Sequence, residues 1–421
     1  MVVLIPFLRG NSTFNLKEVF AKYRAALILC FCVGLNSLGQ GSTAPSMPIL
    51  ATHFGVGITM AGIAVIMVPV GRLIMSLPGG ILTQYFGRKP LMAVGIATIG
   101  TGSLCAFFAD SLGSLIGFRL MSGLGMGIFT VIATVYLRDI STEQNRARYQ
   151  SLNPLSILVG SSIGALLGGF IASTTTLKVP FLIQTITSAT TILIIYLFLP
   201  ETTWNSVKRS ATGSLSRKVA NKKEKLTGLL FNPVFFATAC LSLWIVSHRQ
   251  GGRYILSPLL AARKGFNISQ VGMFFFATHI PQMVAVIVSG ILSDRYGRNI
   301  PLIPAGLSLV AGILILVQSE SLFTLLIAGI FLGIGEGLAG PPTVAYFADR
   351  APQGLEGATM GIYGTVSGGG ALIGALALGS IADNQSIEAA LWVDGFVFVG
   401  LICLVLLVTR SGPKIFSENK V

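Results

Sequence analysis

Twelve stretches of about 20 mostly apolar residues constrain the fold of this chain more than any other feature of its sequence. A stretch of that length crosses the roughly 30 Å hydrocarbon core of a bilayer as an α-helix. A membrane β-barrel would instead show segments of about 10 residues with alternating apolar and polar positions, whereas these stretches are apolar all round. The sequence therefore predicts an all-α integral membrane protein with twelve transmembrane helices. The predicted spans cover residues 25–47, 59–82, 90–108, 112–136, 152–173, 179–199, 230–257, 269–292, 300–318, 322–346, 358–381 and 388–409.

The charged residues are few and mostly basic. Only 10% of the residues are charged, against about 25% in a typical soluble protein, and the formal net charge is +14. A basic chain can indicate nucleic-acid binding, but most of the 29 Lys and Arg residues fall in alternate predicted loops, and positive loops stay in the cytoplasm. We therefore predict a multi-pass protein of the cell membrane, embedded in the lipid bilayer, with both termini cytoplasmic and no nucleic-acid partner.

The chain repeats itself at a constant offset of 210 residues. The segment Gly80–Arg88 aligns with Gly290–Arg298, and Asp139 aligns with Asp349. A single offset that aligns such sites without a gap implies two duplicated halves of six helices, separated by one long basic polar stretch. The predicted parts are a cytoplasmic N-terminal tail at 1–24, an N-terminal six-helix half at 25–199, a basic cytoplasmic linker at 200–229, a C-terminal six-helix half at 230–409 and a cytoplasmic C-terminal tail at 410–421.

The segment Gly290–Arg298 reads GILSDRYGR and matches the pattern G-x-L-[SA]-D-[RK]-x-G-R of the major facilitator superfamily. Its copy at Gly80–Arg88 keeps the glycines and the final arginine but lacks the acidic residue. The chain therefore resembles this superfamily over nearly its whole length. The resemblance implies two pseudo-symmetric six-helix halves with a substrate site between them near the middle of the bilayer. At the predicted inner face, Asp294 with Arg298 and Asp139 with Arg146 are candidate contacts of a cytoplasmic gate. The full set of gate candidates is Gly80, Gly87, Arg88, Asp139, Arg146, Gly290, Asp294, Arg295, Gly297 and Arg298.

The fifth span carries Gly160, Gly164, Gly168 and Gly169 in a pattern that resembles the motif G-x-x-x-G-P-x-x-G-G of drug/proton antiporters, with Ala165 at the proline position. Small residues at this spacing let membrane helices pack closely, so we expect a helix-packing motif here. The resemblance is closest to the twelve-span drug/proton antiporter group. It implies a proton gradient as the energy source and no cofactor.

Polar and charged residues inside the predicted spans are the candidates for substrate binding and coupling, because charge at membrane depth is costly and usually functional. Glu336 is the one carboxylate near the middle of a span, and it either carries the coupling proton or makes a structural hydrogen bond between helices. Arg119 begins a glycine run that resembles an arginine motif tied to proton coupling; otherwise it forms a fixed ion pair or reaches the membrane surface. The candidates are Glu336, Arg119, Arg249, Arg72, His279, Asn36 and Gln40.

Three further assignments rest on position along the chain. Arg253 shares a face of the seventh span with Arg249 and lies toward the outer surface, which leaves either anion binding or simple solvation. Asp394 lies close to the predicted outer end of the twelfth span and is left out of the candidate site. The five cysteines lie in apolar runs without metal-ligand spacing, so no metal site is predicted.

These features favour a monomeric secondary transporter that moves a small-molecule substrate and protons by alternating access. The first interpretation is proton-coupled export of amphipathic, drug-like compounds. One alternative is uptake or exchange of an organic anion, because four arginines within the spans face a single deep carboxylate. Another is a transporter-like sensor that moves nothing. An enzyme is not predicted, because the sequence shows no nucleophile–base pair, metal cluster or phosphate-binding loop.

Overall fold

Helices are the regular elements throughout the part of the chain that the structure describes. The structure is a computed structural model that describes residues 16–83, 85–141, 146–201, 232–351 and 355–411, and no strand occurs in these ranges. An α-helix satisfies its own backbone hydrogen bonds, which is the main requirement for a segment in lipid. The predicted linker lies outside the described residues apart from Pro200 and Glu201, as does most of both predicted tails.

Twelve helical segments in the described ranges form two sets of six, which confirms the predicted all-α membrane architecture. Ten of these segments are helices long and apolar enough to span a bilayer, and the ninth is a shorter apolar helix. The seventh, residues 233–263, is divided into shorter helices and falls in neither group. A short helix at Met47–Thr52 separates the first two spans. The spans are Leu16–Thr43, Ile58–Leu82, Arg88–Phe107, Leu112–Ile140, Arg146–Thr174, Val179–Phe198, residues 233–263, Ile268–Tyr296, Leu302–Val317, Leu322–Asp349, residues 356–384 and Ile387–Ser411.

The seventh and eleventh spans are not regular α-helices along their whole length. The seventh consists of the α-helix Pro233–Ser247, the π-helix His248–Leu256 and a final α-helical stretch, Ser257–Arg263. The eleventh is interrupted in the same way by the π-helix Gly374–Leu378, and the two π-helices contact each other. Single π-turns inside α-helices occur often at functional sites, so these two spans are the first place to look for one.

Glycines bring helices into backbone contact in both halves. A Cβ atom at Gly164 of the fifth span would lie 2.0 Å from the carbonyl oxygen of Leu38 in the first span. A Cβ atom at Gly374 of the eleventh span would lie 2.3 Å from the carbonyl oxygen of Ser247 in the seventh. Because Gly164 and Gly374 are equivalent in the repeat, the close crossing of the first and fifth spans recurs between the seventh and eleventh.

The two halves meet at the end of the bundle where the second and eighth spans begin, which we call the far end. There the carboxylate of Asp383 accepts hydrogen bonds from the backbone N–H groups of Ile58 and Thr59, at 2.6 and 2.9 Å. At the same end, Gly169 of the fifth span approaches the backbone of Gly272 in the eighth. We call the opposite end, which carries Arg88 and Arg298, the basic end.

Candidate transport site

The π-helix of the seventh span carries three basic side chains, which lie among or beside the other helices of the second half. Hydrogen bonds in a π-helix close on the fifth residue, so His248 and Arg253 lie one above the other, with Arg249 beside them. Both His248 and Arg253 are 2% exposed. Gly251 allows this stretch to lie against the eleventh span, because a Cβ there would lie 2.4 Å from the carbonyl oxygen of Gly374.

Glu336 of the tenth span is the centre of the charged cluster and is 1% exposed. Its Oε2 atom lies 3.1 Å from Arg253 Nη1 and 3.3 Å from Arg249 Nε. The side-chain amide of Gln282, on the eighth span, donates to the same oxygen at 3.2 Å, and Gln282 Oε1 accepts from Arg253 at 3.0 Å. A buried carboxylate is costly unless it is paired and hydrogen-bonded, and these three partners meet that requirement for one of its two oxygens.

A second carboxylate, Asp394 of the twelfth span, joins the cluster through His248. Its Oδ2 atom lies 2.5 Å from His248 Nδ1, and its side chain is fully buried. Gly252 leaves room for this carboxylate, because a Cβ there would lie 2.6 Å from Oδ2. The indole N–H of Trp244 donates to the backbone carbonyl of Asp394 at 3.1 Å, which ties the seventh and twelfth spans together beside the pair.

Four buried polar atoms of this cluster have no hydrogen-bond partner in the described structure. They are His248 Nε2, Arg253 Nε, Glu336 Oε1 and Asp394 Oδ1. His248 Nε2 and Glu336 Oε1 lie only 3.7 Å apart, so two groups able to accept a hydrogen bond face each other. Buried polar groups in folded proteins are nearly always satisfied, so this arrangement is open to an added proton or ligand.

The first half contributes two arginines that have no acidic partner among the described residues. Arg72 of the second span is exposed and interacts electrostatically with Arg249 of the other half. The Arg249 side chain is itself 36% exposed, so both face a solvent-accessible space between the halves. Arg119 is 8% exposed, and its guanidinium lies 5.9 Å from the centre of the Phe181 ring rather than beside Glu336.

The remaining candidates occupy two separate places. Asn36 is buried and accepts a hydrogen bond from Gln184 of the sixth span at 3.2 Å, while Gln40 is half-buried on the same helix. His279 is buried beside the charged cluster, with Nε2 3.3 Å from the hydroxyl of Tyr254. The structure therefore places Glu336, Arg249 and His279 together and puts Asn36 and Gln40 on the other half.

Two equivalent ion pairs lie at the basic end. Arg88 Nε is 3.2 Å from Asp139 Oδ2, and Arg298 Nε is 3.0 Å from Asp349 Oδ2. Arg298 also pairs with Asp294 at 2.5 Å. Because Arg298 donates to Asp349 and Asp294, its pKa is raised above the ordinary value.

The other gate candidates surround these pairs. Gly297 has φ +102°, a conformation that side chains rarely adopt, and it ends the eighth span just before Arg298. Gly87 is the N-cap residue just before the third span, at a position where a Cβ would lie 3.2 Å from Glu201 Oε1. The Arg295 side chain is exposed. Asp139 contacts Arg88, whereas the side chain of its predicted partner Arg146 lies outside the described structure.

Glycines of the fifth span lie where helices cross. Cβ atoms at Gly160, Gly164 and Gly168 would each lie within 2.1 Å of a backbone oxygen of the first span. Gly169 faces the eighth span of the other half. Helix approach at this distance is possible only without a side chain.

Sequence reasoning missed part of the cluster. Of the two alternatives for Arg253, anion binding and simple solvation, the second is wrong, because Arg253 is buried and paired with Glu336. Leaving Asp394 out was also wrong, since it is the partner of His248. Gln282 could have been identified from the sequence, because the offset of 210 residues aligns it with the candidate Arg72. We recognise no sequence pattern that predicts the π-helix. The π-helix nevertheless determines which side chains of the seventh span share a face.

Comparison with known proteins agrees with this architecture. The chain is 26% identical over 382 residues to the inner membrane transport protein YajR of Escherichia coli, covering 88% of this chain and 80% of that protein. It is 25% identical over 344 residues to the 4-hydroxybenzoate transporter PcaK of Acinetobacter baylyi, covering 72% of each. Its fold matches the crystal structure of a bacterial homologue of the human lysosomal transporter Spinster with a TM-score of 0.73, at 13% identity, over 95% of this chain and 98% of that one.

The family comparison covers both halves of the repeat. The family model described as Major Facilitator Superfamily matches residues 29–248 and again residues 249–420. These two matches meet inside the π-helix of the seventh span, and together they extend over nearly the whole chain. Because the matches cover most of the chain and both six-helix halves, the chain belongs to the major facilitator superfamily, whose members are membrane transporters and not enzymes.

Proposed function

We propose that this protein is a proton-driven secondary transporter of small organic anions. The observation that carries the proposal is the charge balance in the middle of the bundle. The described spans contain four arginines in their interior, Arg72, Arg119, Arg249 and Arg253, and two buried carboxylates, Glu336 and Asp394. With neutral histidines, the described interior therefore has two positive charges more than negative ones.

The excess positive charge lies where a substrate would bind. Arg253 and Glu336 are buried and paired with each other, whereas Arg72 and Arg249 face the space between the halves. Two guanidinium groups near each other repel, and an anion placed between them would remove that repulsion. Arginine binds carboxylates and phosphates through two parallel hydrogen bonds, so a carboxylate substrate fits this pair.

The arrangement of the halves supports alternating access. Contacts at Asp383, Gly169 and Gly272 hold the halves together at the far end. Following the distribution of Lys and Arg, we assign the basic end to the cytoplasm, which makes this conformation closed toward the outside. PcaK, the similar protein named for 4-hydroxybenzoate, transports an aromatic carboxylate by its name, and this supports an anionic substrate here.

A ligand-stabilisation screen of the purified protein tests the proposal. Thermal unfolding is measured at pH 6 and pH 8 with aromatic and aliphatic carboxylates, cationic drugs and sugars. We expect carboxylates to raise the unfolding midpoint, because a ligand at 100 times its Kd stabilises the native state by about 2.7 kcal/mol. Flux of the stabilising compound into proteoliposomes, with and without a proton gradient, then tests transport itself.

Arginine variants make the test specific. A charge-assisted hydrogen bond contributes about 1.5–3 kcal/mol, so Arg72→Gln and Arg249→Gln should each weaken anion binding by at least about tenfold. Arg24→Gln removes the same charge from an exposed position outside the site and should leave binding unchanged. Unaltered anion binding in both site variants would contradict the proposal, and stabilisation without any flux would favour a transporter-like sensor.

Proton-coupled export of amphipathic compounds is the second candidate. It is favoured by the fifth span, whose Gly160, Gly164 and Gly168 pack on the first span as a motif resembling that of drug/proton antiporters would. This candidate predicts stabilisation by cationic drugs that survives Arg249→Gln. The same screen therefore separates the two candidates.

A further inference from the structure

We propose that His248, Asp394 and Glu336 form a buried binding site for one proton, which His248 takes up at Nε2. This inference rests on the proposed function, in which a proton gradient drives transport, and it moves the coupling proton away from Glu336 alone. Its starting point is the facing pair of unsatisfied atoms, His248 Nε2 and Glu336 Oε1, 3.7 Å apart.

Asp394 fixes which nitrogen of His248 carries the first proton. Its Oδ2 atom lies 2.5 Å from Nδ1, and an ionised carboxylate can only accept a hydrogen bond. In neutral His248 the proton is therefore on Nδ1, and the lone pair of Nε2 points toward Glu336. A second partner that orients the ring in this way is the usual device for selecting a histidine tautomer.

Proton uptake gives hydrogen-bond partners to two of the unsatisfied atoms of the cluster. A proton delivered from water forms an N–H bond with the Nε2 lone pair, and the imidazole becomes an imidazolium with charge +1. The new N–H group is a donor that faces Glu336 Oε1, so both unsatisfied atoms gain a partner in one step. Histidine is the side chain that ordinarily changes charge between about pH 5 and 8, which is the range that a proton gradient spans.

The charges around His248 allow both protonation states. Among the described residues, the charged groups that face it are Asp394 from the twelfth span, Glu336 from the tenth and Arg253 from its own helix. With Arg249, these groups sum to zero when the ring is neutral and to +1 when it is protonated. Neither protonation state therefore leaves the cluster with an uncompensated charge larger than one.

Glu336 stands between the proposed site and the solvent-accessible space. Its Oε2 atom contacts Arg249 at 3.3 Å, and the Arg249 side chain is 36% exposed. The other oxygen faces His248. One carboxylate therefore separates the buried ring from the space between the halves, and that gives a proton a short route in.

Nitrogen NMR of the full-length protein labelled with ¹⁵N-histidine tests the proposal without any substrate. The chain contains three histidines, His53, His248 and His279, and the variants His53→Gln and His279→Gln assign the signals. We expect His248 to be protonated at Nδ1 alone near pH 9 and at both nitrogens near pH 5. A protonation state of His248 that does not change across this range would overturn the proposal.

Variants at the two carboxylates test the geometry. Removing a negative neighbour disfavours the imidazolium, so Asp394→Asn and Glu336→Gln should each move the midpoint of the His248 titration to lower pH by about one unit or more, a tenfold loss of proton affinity. An unchanged midpoint in both variants would overturn the proposal, and because the wild-type titration is measured independently, poor folding of one variant does not remove the test.

Flux measurements separate this inference from the proposed function. If flux responds to a proton gradient but His248 does not titrate, the proton site is refuted and the proposed function stands. If His248 titrates as expected but flux ignores the gradient, the proton site stands and the proton-driven function fails. The exposed His53→Gln variant, matched to His248→Gln, should retain any gradient-driven flux that His248→Gln loses.

Discussion

The contact between Asp383 and the second span holds the two halves together at the far end, and its removal should shift the conformational equilibrium. Asp383 lies at the end of the eleventh span, in the second half of the chain. Its carboxylate accepts from the backbone N–H of Ile58 at 2.6 Å, and from the N–H and hydroxyl of Thr59 at 2.9 and 2.6 Å. It therefore caps the N-terminus of a helix that belongs to the other half.

The size of the effect follows from these bonds. A hydrogen bond to a charged group contributes about 1.5–3 kcal/mol when buried, and a negative charge at a helix N-terminus adds about 0.3–1 kcal/mol. Asp383 is exposed, so solvent screening reduces both contributions. Asp383→Asn keeps one acceptor oxygen but loses the charge, and we expect a cost of about 1.4 kcal/mol to the closed far end. That corresponds to about a tenfold shift toward conformations in which the far end is open.

Distance measurements between spin labels by electron paramagnetic resonance provide the assay. Spin labels at Thr175 and Glu320, which are exposed at the far end of the first and second halves respectively, report the separation of the halves there. In Asp383→Asn, the longer-distance population should grow about tenfold relative to the shorter one. Asp110→Asn is the matched control, because Asp110 lies at the same end but pairs with Lys178 of its own half at 3.6 Å. Identical distance distributions in Asp383→Asn and the control would refute the reasoning.

Three further predictions concern packing and the basic end, and each is read from the midpoint of thermal unfolding. Gly297→Ala should destabilise by about 1–3 kcal/mol, because its φ of +102° is a region used almost only by glycine, whereas Gly290→Ala, which meets no atom within 4 Å, should not. Gly164→Ala should separate the first and fifth spans, because its Cβ would lie 2.0 Å from a carbonyl oxygen; an unchanged midpoint would contradict the observed packing. The pKa of Arg298 is raised, chiefly by its hydrogen bond to Asp349. The stability that protonated Arg298 contributes is therefore fully present at pH values below its ordinary pKa, and it is lost only as the pH rises through the raised pKa. The difference between wild type and Arg298→Gln should therefore stay constant from pH 6 to pH 9, and a change within that range would show that another group titrates with it.

The architecture could be predicted from the sequence because few alternatives exist for apolar stretches of this length. A segment in lipid must be a helix or part of a closed barrel, and the offset of 210 residues sets the two halves in register. The two ion pairs at the basic end follow the same offset, since Arg88 with Asp139 and Arg298 with Asp349 are equivalent. The pairing of Asp139 with Arg88 depends on how the third and fourth spans pack, which cannot be read from the sequence.

The charged cluster could be predicted only in part. Glu336 and Arg249 stand out as charges in the middle of apolar helices, and the structure brings them together. The positions of Arg253 and Asp394 near predicted helix ends do not indicate how much of each side chain is exposed. Both side chains are buried in the structure, and the π-helix, whose hydrogen bonds close on the fifth residue, places Arg253 above His248.

The two halves share a scaffold but differ in the chemistry at their centre. The repeat places Gln184 at the position equivalent to Asp394, and Met126 at the position equivalent to Glu336, so the first half lacks both carboxylates. It keeps uncompensated cations at Arg72 and Arg119 instead, while the second half balances its arginines with acids beside a histidine. In the proposed cycle, the second half binds the proton and the first half supplies much of the positive charge for the anion. Proton binding makes the cluster more positive and so favours anion binding; linkage requires the anion to favour the proton equally, which predicts that anion affinity falls as pH rises through the titration of His248.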